Sequence, residues 1–431
     1  MQISPNDPNV LYLGGEVVFK TSDGGMSWSI ISPDLTRNDK TKQHSTPEPL
    51  TPDNSSAEYY DTVFAIAESP VQKGLIWAGS DDGLLHVTND GGKRWANVTP
   101  KQMPEWSRVN MIEPSPWNAG TAYAAADLHF SDDFRPMIFK TTDFGKTWTS
   151  ITNGIGEQDY VHSVHADPVR EGLLYAGTER GVYVSFDDGA NWQPLQLNLP
   201  VVPVYDTAIH GNDLVIATHG RAFWVLDNIT PLRQASPAIA SQPAHLFTPA
   251  VAYREHGRFG GGGQGGRRNM GQNPPSGAVV DYYLSSTTPG PVTLDILDSH
   301  GQVVHHSTSE RQQGERSEAQ SGRDVARSMS LSARPGLNRF VWNYRLDGPT
   351  AVRGMVIMEA QGGGPAVPPG NYQVKLTVAG KDYTAPLIVK PDPRVKVTRE
   401  DLEKQYEFAV KLRDRVNEVH NTVNAIRAAR V

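Results

Sequence analysis

The chain has 431 residues, a formal net charge of −7 and no cysteine. Its length suggests two or three domains, and the lack of cysteine excludes disulfides, zinc–thiolate sites and cysteine nucleophiles. The acidic balance gives no reason to expect nucleic acid or an anionic bilayer as a partner, and no apolar run approaches the ~18 residues of a membrane span. No motif indicates a cofactor or a bound metal.

A pattern of Ser/Thr-x-Asp-x-Gly-x-x-Trp occurs four times in the first half of the chain. The copies are TSDGGMSW (21–28), TNDGGKRW (88–95), TTDFGKTW (141–148) and SFDDGANW (185–192). In a tight turn an Asp carboxylate accepts hydrogen bonds from backbone N–H groups one to three residues on, Gly supplies φ > 0, and Trp buries a large ring. Identical chemistry in every unit is a requirement of a fold, so these Asp residues are interpreted as structural.

Each copy belongs to a longer repeat. An apolar strand ending in small residues, a Gly-containing hairpin, a second strand, the Asp turn and an outer strand led by Trp follow one another. A fifth copy, HGNDLVIATHGRAFWVLDN (210–228), keeps the strands and loses the Asp turn. One four-stranded antiparallel sheet per ~45 residues is typical of a β-propeller blade, so residues 1–234 are predicted to form about five blades.

The rest of the chain contains three further segments. Residues 235–277 are rich in Gly and Pro and are interpreted as a flexible linker, because no strand and helix flank the Gly run as a phosphate loop would require. Six short alternating segments predict an Ig-like β-sandwich over 278–393, with a polar surface loop at 309–324. Residues 394–431 open with a capping box at Thr398 and predict an amphipathic helix of about thirty residues.

The two ends of the chain raise the question of assembly. The first residues, QIS, resemble the tail of an innermost strand, so the chain is interpreted as the C-terminal part of a larger, exported protein. A single apolar stripe on the last helix requires a partner surface. We therefore expect self-association or a chain that supplies missing blades.

The repeats resemble the Asp-box (BNR) repeats of sialidases, xyloglucanase-type glycosidases and sortilin-type receptor propellers. The runs THGRAFWVLDNITPLRQ (218–234) and NPPSGAVVDYYL (273–284) are similar to a group of bacterial exported proteins. These carry sortilin-like propeller repeats, are often labelled glycosyl hydrolase, and continue into a β-sandwich, here ending in VPPGNYQVKLTV, which resembles a FlgD-type Ig-like domain. The resemblance implies an all-β fold and a periplasmic or secreted location.

The same resemblance implies that ligands meet the face opposite the Asp turns. Hairpins between the second and third strands, and loops that enter each innermost strand, form that face. The candidate ligand-binding residues combine charge with such positions: they are Asp61, Arg108, Arg180, Asp206 and Arg221. This mixture suits a sugar, a carboxylate or a peptide terminus.

The chemistry stays open at this stage. The main interpretation is a propeller that binds a glycan or peptide, and the alternative is a glycoside hydrolase with Asp61 and Asp206 as candidate catalytic residues. A sialidase-like enzyme would need three arginines and a tyrosine nucleophile, but its Phe-Arg-Ile-Pro signature precedes the first Asp box, whereas FRPM (134–137) falls inside a hairpin. A xyloglucanase-like enzyme would need two carboxylates ~6.5–9.5 Å apart, such as Asp61 with Asp206 or Asp81 with Glu179.

Overall fold

The computed structural model describes residues 1–43, 60–255, 274–288, 290–310, 331–350, 352, 355 and 363–429. The chain divides into two compact units, residues 1–227 and residues 228–431. The first unit ends seven residues before the predicted boundary at 234, since the last strand of the fifth repeat ends at Leu226.

The first unit consists of five antiparallel sheets in which consecutive strands are hydrogen-bonded neighbours. The strands are β1 (Gln2–Ile3), β2 (Leu11–Gly14), β3 (Val18–Thr21) and β4 (Ser29–Ile30) in the first sheet; β5 (Val63–Glu68), β6 (Ile76–Ser80), β7 (Leu85–Thr88) and β8 (Ala96–Asn97) in the second; β9 (Arg108–Pro114), β10 (Ala122–Leu128), β11 (Asp133–Thr141) and β12 (Thr149–Ser150) in the third; β13 (Val161–Ala166), β14 (Leu174–Thr178), β15 (Val182–Ser185) and β16 (Gln193–Pro194) in the fourth; β17 (Val204–His210), β18 (Asp213–Thr218) and β19 (Phe223–Leu226) in the fifth. A 3-10 turn, His129–Ser131, lies in the hairpin between β10 and β11.

From the second sheet onward the innermost strand packs against that of the next sheet: β5 against β9, β9 against β13, and β13 against β17; in the first sheet β2 packs against β5. These are the blades of a β-propeller, and the prediction of an all-β fold with five blades is confirmed. The fifth blade has three strands because its repeat lacks the Asp turn and the Trp-led strand.

Glycines in the second strands let neighbouring blades approach closely. A Cβ on Gly14 would lie 2.1 Å from the carbonyl oxygen of Val63, one on Gly79 would lie 2.4 Å from Val109, and one on Gly177 would lie 2.6 Å from the carbonyl oxygen of Val204. In each case the group that fills the space belongs to the innermost strand of the next blade. The small residues of the repeat therefore fix the spacing between blades.

The four Asp turns share one hydrogen-bond pattern. In the second blade Asp90 accepts the backbone N–H of Arg94 at 3.0 Å and the hydroxyl of Thr88 at 2.9 Å. The same pair of bonds occurs at Asp23, Asp143 and Asp187. The N–H lies four residues after the Asp, one residue beyond the predicted range. The N–H two residues after the Asp bonds the hydroxyl of the Ser or Thr that begins the turn. Hydrogen bonds to the charged form lower the pKa of each of these carboxyls.

The second unit is a two-sheet β-sandwich. Its strands are β20 (Ala244–Leu246), β21 (Ala252–Arg254), β22 (Ala278–Leu284), β23 (Thr293–Leu297), β24 (Val303–Thr308), β25 (Gly336–Trp342), β26 (Gly370–Val378) and β27 (Lys381–Pro391). The sheets run in the orders β20-β22-β25 and β21-β27-β26-β23-β24. Buried residues from both sheets, such as Trp342, Tyr282 and Leu376, form a single core. All six segments that the sequence predicts as strands are strands.

The stretch 235–277, interpreted from the sequence as a linker, contains structure. Strand β20 pairs with β22 and β21 pairs in parallel with β27, and two short helices, α1 (Thr230–Gln234) and α2 (Pro237–Ala240), precede them. The short apolar segments AHL (244–246) and VAY (251–253) lie beside a Gly-rich run, and the composition of the whole stretch therefore predicted a linker. The Gly run itself, and the polar loop from residue 311, lie outside the described residues.

The last element is helix α3 (Arg399–Ala429). Thr398 caps it by accepting the N–H of Asp401 at 3.1 Å. His420 bonds the carbonyl of Thr350 at 2.7 Å, and Leu402 is buried, whereas Leu412 and Val419 are exposed. No helix within the described ranges has the length and apolar character that crossing a bilayer requires.

Candidate functional site

Four innermost strands carry a β-bulge at the same point. The register shifts by one residue at Phe64 in β5, at Asn110 in β9, at His162 in β13 and at Tyr205 in β17. Each bulge lies where the strand pairs with the end of the second strand, next to the hairpin and away from the Asp turn. A bulge re-aims the side chain of the extra residue and is common beside functional sites. The same β-bulge therefore recurs in four blades on the face opposite the Asp turns.

Three of the bulged residues, Phe64, His162 and Tyr205, belong to a continuous row of side chains in ring contact, which we call the stacked strip. It comprises, in spatial order, Phe64, Arg108, Phe130, His129, Tyr160, His162, Tyr205 and His219. The guanidinium of Arg108 lies 5.3 Å from the ring centroids of both Phe64 and Phe130. The strip crosses four blades, from the second to the fifth.

Ring geometry along the strip is close and partly parallel. The rings of His129 and Tyr160 are 4.6 Å apart at 11°, and those of Tyr205 and His219 are 4.9 Å apart at 22°. Phe130 is 75% exposed and Tyr205 is 50% exposed. The rings of Tyr160 and His162 are buried, so the strip is a connected aromatic row that is open to solvent at Phe64, Phe130 and Tyr205 and closed at its middle.

A buried carboxylate orders the middle of the strip. Asp127 accepts hydrogen bonds from Arg108 at 3.1 Å and from the amide of Asn110 at 2.6 Å, and it contacts the ring Nδ1 of His129. Burial opposes ionisation, but the charge of Arg108 and the bonds from His129 and Asn110 outweigh it and lower the pKa of Asp127. Asp127 is ionised and holds three neighbours in fixed orientations.

Glu179 supports the next section of the strip from the β14–β15 hairpin. Its carboxylate lies 3.0 Å from Nε2 of His162 and within hydrogen-bonding reach of the Tyr160 hydroxyl. Burial, together with Glu179, raises the pKa of Tyr160. Burial also lowers the pKa of His162 despite Glu179, so this imidazole is neutral at pH 7.

Asp206, a predicted site residue, forms an ion pair across blades. Its carboxylate lies 3.0 Å from Nε2 of His165, whose Nδ1 is 3.5 Å from Glu113. Burial alone would lower the pKa of His165, but the hydrogen bonds and charges of Asp206 and Glu113 raise it to about 10. His165 thus joins carboxylates of the third and fifth blades.

Asp61, the other predicted catalytic residue, lies in a separate cluster in the second blade. It is 8% exposed with φ at +78°, and its carboxylate contacts that of Asp82 and the amide of Gln43. Asp81 is adjacent, and burial together with the charges of Asp82 and Asp61 raises the pKa of Asp81 to about 6. No described contact joins Asp61 to Asp206, so the structure brings them into two different networks.

The two remaining predicted residues lie on hairpins of the same face. Arg180 lines an open cavity of about 410 Å³ in the fourth blade. Arg221 is exposed on the fifth blade, with its backbone N–H bonded to Thr218 at 3.2 Å. Of the predicted set, only Arg108 is part of the stacked strip.

Sequence reasoning selected only Arg108 of the strip as a ligand-binding residue. The residues of the strip are of four types, and no single type recurs in all blades. One signal was present: each bulged residue directly follows a valine, as Val63, Val109, Val161 and Val204 show. Within the described part of the chain, no group of three or more His, Asp or Glu side chains is arranged to hold a metal ion.

Comparisons with known proteins give the following similarities. No family model matches the chain. A probable oligoxyloglucan-reducing end-specific xyloglucanase of Neosartorya fischeri is 29% identical over 153 residues, an alignment that covers 30% of this chain and 17% of that protein. The chain thus matches less than a fifth of the length of this curated relative.

Similar solved structures include the GH74 xyloglucanase from Xanthomonas campestris, with 15% identity, a TM-score of 0.40, and coverage of 91% of this chain and 80% of that one. An ancestral GH74 enzyme has 20% identity and a TM-score of 0.40, covering 71% of this chain and 37% of that one. PorZ of Porphyromonas gingivalis, a surface component of the type-IX secretion system, has 13% identity and a TM-score of 0.37, covering 90% and 51%.

Proposed function

We propose that this protein is an extracytoplasmic glycan-binding propeller whose ligand lies along the stacked strip. The observation that carries the proposal is the unbroken row of ring contacts from Phe64 to His219. Sugar rings have apolar faces that stack on aromatic rings and hydroxyl edges that need hydrogen-bond partners. A solvent-open aromatic row bordered by polar groups offers both.

The polar groups beside the strip favour an extended ligand. Asp127 and Glu179 lie next to its middle, and Asp206 lies beside Tyr205. These carboxylates are spread over three blades, whereas a site for one small molecule concentrates its polar groups in one place. An oligosaccharide that stacks on successive rings would meet Glu179 and Asp206 one after the other, whereas the buried Asp127 acts by orienting Arg108 and His129.

A second candidate function, glycoside hydrolysis, is favoured by one observation. The pKa of Asp81 is raised to about 6, the range suited to a general acid near neutral pH. A hydrolase would also need a second carboxylate across the sugar, and Asp81 shares its cluster with Asp61 and Asp82. We rank this function second because the cluster lies outside the stacked strip.

A glycan array, followed by calorimetry on the hits, tests the proposal. The strip predicts binding of oligosaccharides that grows with chain length, and loss of that binding in a Phe130→Ala, Tyr205→Ala double variant, which removes two exposed rings. Binding of peptides and of no glycan would overturn it. Release of shorter products during the titration, lost in Asp81→Asn, would instead support the hydrolase.

A further inference from the structure

Next to the stacked strip, the fourth blade contains a cavity of about 410 Å³ that the proposed glycan site does not use. Its polar lining consists of Glu157, Gln158, Asp159, Arg180, Tyr183 and Gln196. The cavity and the strip share a hairpin, because Glu179 faces His162 in the strip and the next residue, Arg180, faces the cavity. The exposed ring of Tyr205 contacts His162, so a ligand lying on Tyr205 is close to the hairpin that borders this opening.

The cation of the cavity is the guanidinium of Arg180. Asp159, the nearest buried carboxylate, accepts the backbone N–H of Arg180 at 3.1 Å and is within hydrogen-bonding reach of the Tyr183 hydroxyl. Among the described residues, no carboxylate forms an ion pair with the guanidinium. Burial, together with Asp159, raises the pKa of Tyr183, which keeps its hydroxyl protonated.

The wall opposite the hairpin is fixed in place. The amide nitrogen of Gln196 donates to the carbonyls of Leu199 at 2.9 Å and Pro200 at 2.8 Å, which anchors the side chain. Its amide oxygen lies only 2.0 Å from the position that a Cβ on residue 181 would take, so a side chain at Gly181 would clash with it. Gly181 and Gln196 thus hold the cavity in a defined shape beside Arg180.

We propose that this cavity binds a carboxylate-bearing sugar, so that the ligand of the stacked strip is an acidic glycan containing uronic acid. The inference rests on the proposed glycan-binding function and adds the charge of the ligand to it. A guanidinium presents paired N–H donors that match a carboxylate in a bidentate contact. Gln158 adds a neutral amide on the rim for sugar hydroxyls, and Tyr183 and Pro194 offer apolar surface to the ring.

Glu157 also lines the cavity and gives a second, independent test of the ligand's charge. Its carboxylate would repel an anionic sugar that Arg180 attracts. The two residues should therefore have opposite effects on an acidic ligand and little effect on an uncharged one. A solvated arginine with no role in binding would give neither effect.

The test uses the full chain and two matched ligands, a hexamer of galacturonic acid and the same hexamer with its carboxylates methyl-esterified. Calorimetry at low and high salt should give tighter binding of the acid form by about tenfold or more, with a difference that shrinks as salt rises. Arg180→Gln should abolish the difference and leave the ester unchanged. Glu157→Gln should increase it. The control, Arg94→Gln, replaces an exposed arginine at an Asp turn and should change neither.

The outcomes separate the inference from the function on which it rests. Equal binding of both hexamers by the unmodified protein would overturn the acidic-sugar site and leave the glycan-binding strip intact. Loss of both ligands in Arg180→Gln, with an unchanged circular dichroism spectrum, would also overturn it, since the effect would not depend on charge. Arg180-dependent binding of a peptide with a free C-terminal carboxylate, without binding of either hexamer, would overturn both proposals.

Discussion

The indole Nε1 of Trp148 donates a 2.6 Å hydrogen bond to the carbonyl oxygen of Val98, at the end of the outer strand of the preceding blade. Trp95 and Trp192 make the same bond to Ile31 and Ile151. In these three blades the Trp of the Asp turn therefore ties its blade to the one before it. Trp28 instead bonds Gly25 within its own turn and is 38% exposed.

This contrast predicts unequal effects of one substitution. Trp148→Ala should lower the free energy of unfolding by ~3–5 kcal/mol, because it empties a buried ring site and leaves the carbonyl of Val98 without its partner. Trp28→Ala should cost about 1 kcal/mol or less, as an exposed change does. Chemical denaturation of both variants measures the difference. Equal losses would show that the Trp acts within its own turn and not between blades.

The stacked strip predicts which aromatic residues matter for binding. Tyr205→Ala should weaken oligosaccharide binding about tenfold, since it removes a stacking surface between His162 and His219. Phe144→Ala is the matched control, because Phe144 is 39% exposed and lies in an Asp turn. Calorimetry with a glycan array hit compares them. A larger loss in the control would place the ligand on the Asp-turn face.

The ion pair between His165 and Asp206 predicts a pH dependence of stability. The folded pKa of His165, about 10, lies above the unfolded value of ~6.5, so folding favours the protonated form. Its contribution is complete below pH ~6.5 and is lost as the pH rises towards 10. Asp206→Asn should reduce this slope and lower the pKa of His165, which a titration of histidine ring nitrogens by NMR measures directly. An unchanged titration would mean that Glu113 alone holds the proton.

The acidic cluster of the second blade predicts a dependence in a lower window. The folded pKa of Asp81, about 6, exceeds the unfolded value of ~3.9, so its protonated form favours folding. This contribution is present below pH ~3.9 and is lost as the pH rises through 6. Asp81→Asn should remove the change between pH 4 and 6 and stabilise the protein at pH 7, as thermal melts at several pH values would reveal. A destabilised variant at pH 7 would mean that the ionised carboxylate is needed.

The sequence predicted features that repeat with constant residue types and missed those that depend on register. The Asp turns were visible because Asp, Gly and Trp recur at fixed spacing. The continuity of the strip was not visible, because a bulge at Tyr205 is a property of the pairing between β17 and β18 and a preceding valine is too common a residue to mark it. The pairing of Arg108 with Asp127 was hidden for the same reason: it joins two strands whose register is set by the fold.

The last prediction compares the two faces of the propeller. Asp90→Ala and Asp187→Ala remove carboxylates that each accept several bonds within a turn, so they should lower the free energy of unfolding by about 1–2 kcal/mol. Their folded fractions should bind a glycan with unchanged affinity.

Arg108→Ala removes a member of the strip and should abolish most binding, and it should also lower the free energy of unfolding because it leaves the buried carboxylate of Asp127 without its cation. Affinity per folded molecule, obtained from calorimetry and denaturation of the same samples, decides between the faces. Normal binding in Arg108→Ala together with lost binding in folded Asp90→Ala would assign the function to the Asp-turn face, because only that face would then contain a residue on which the ligand depends.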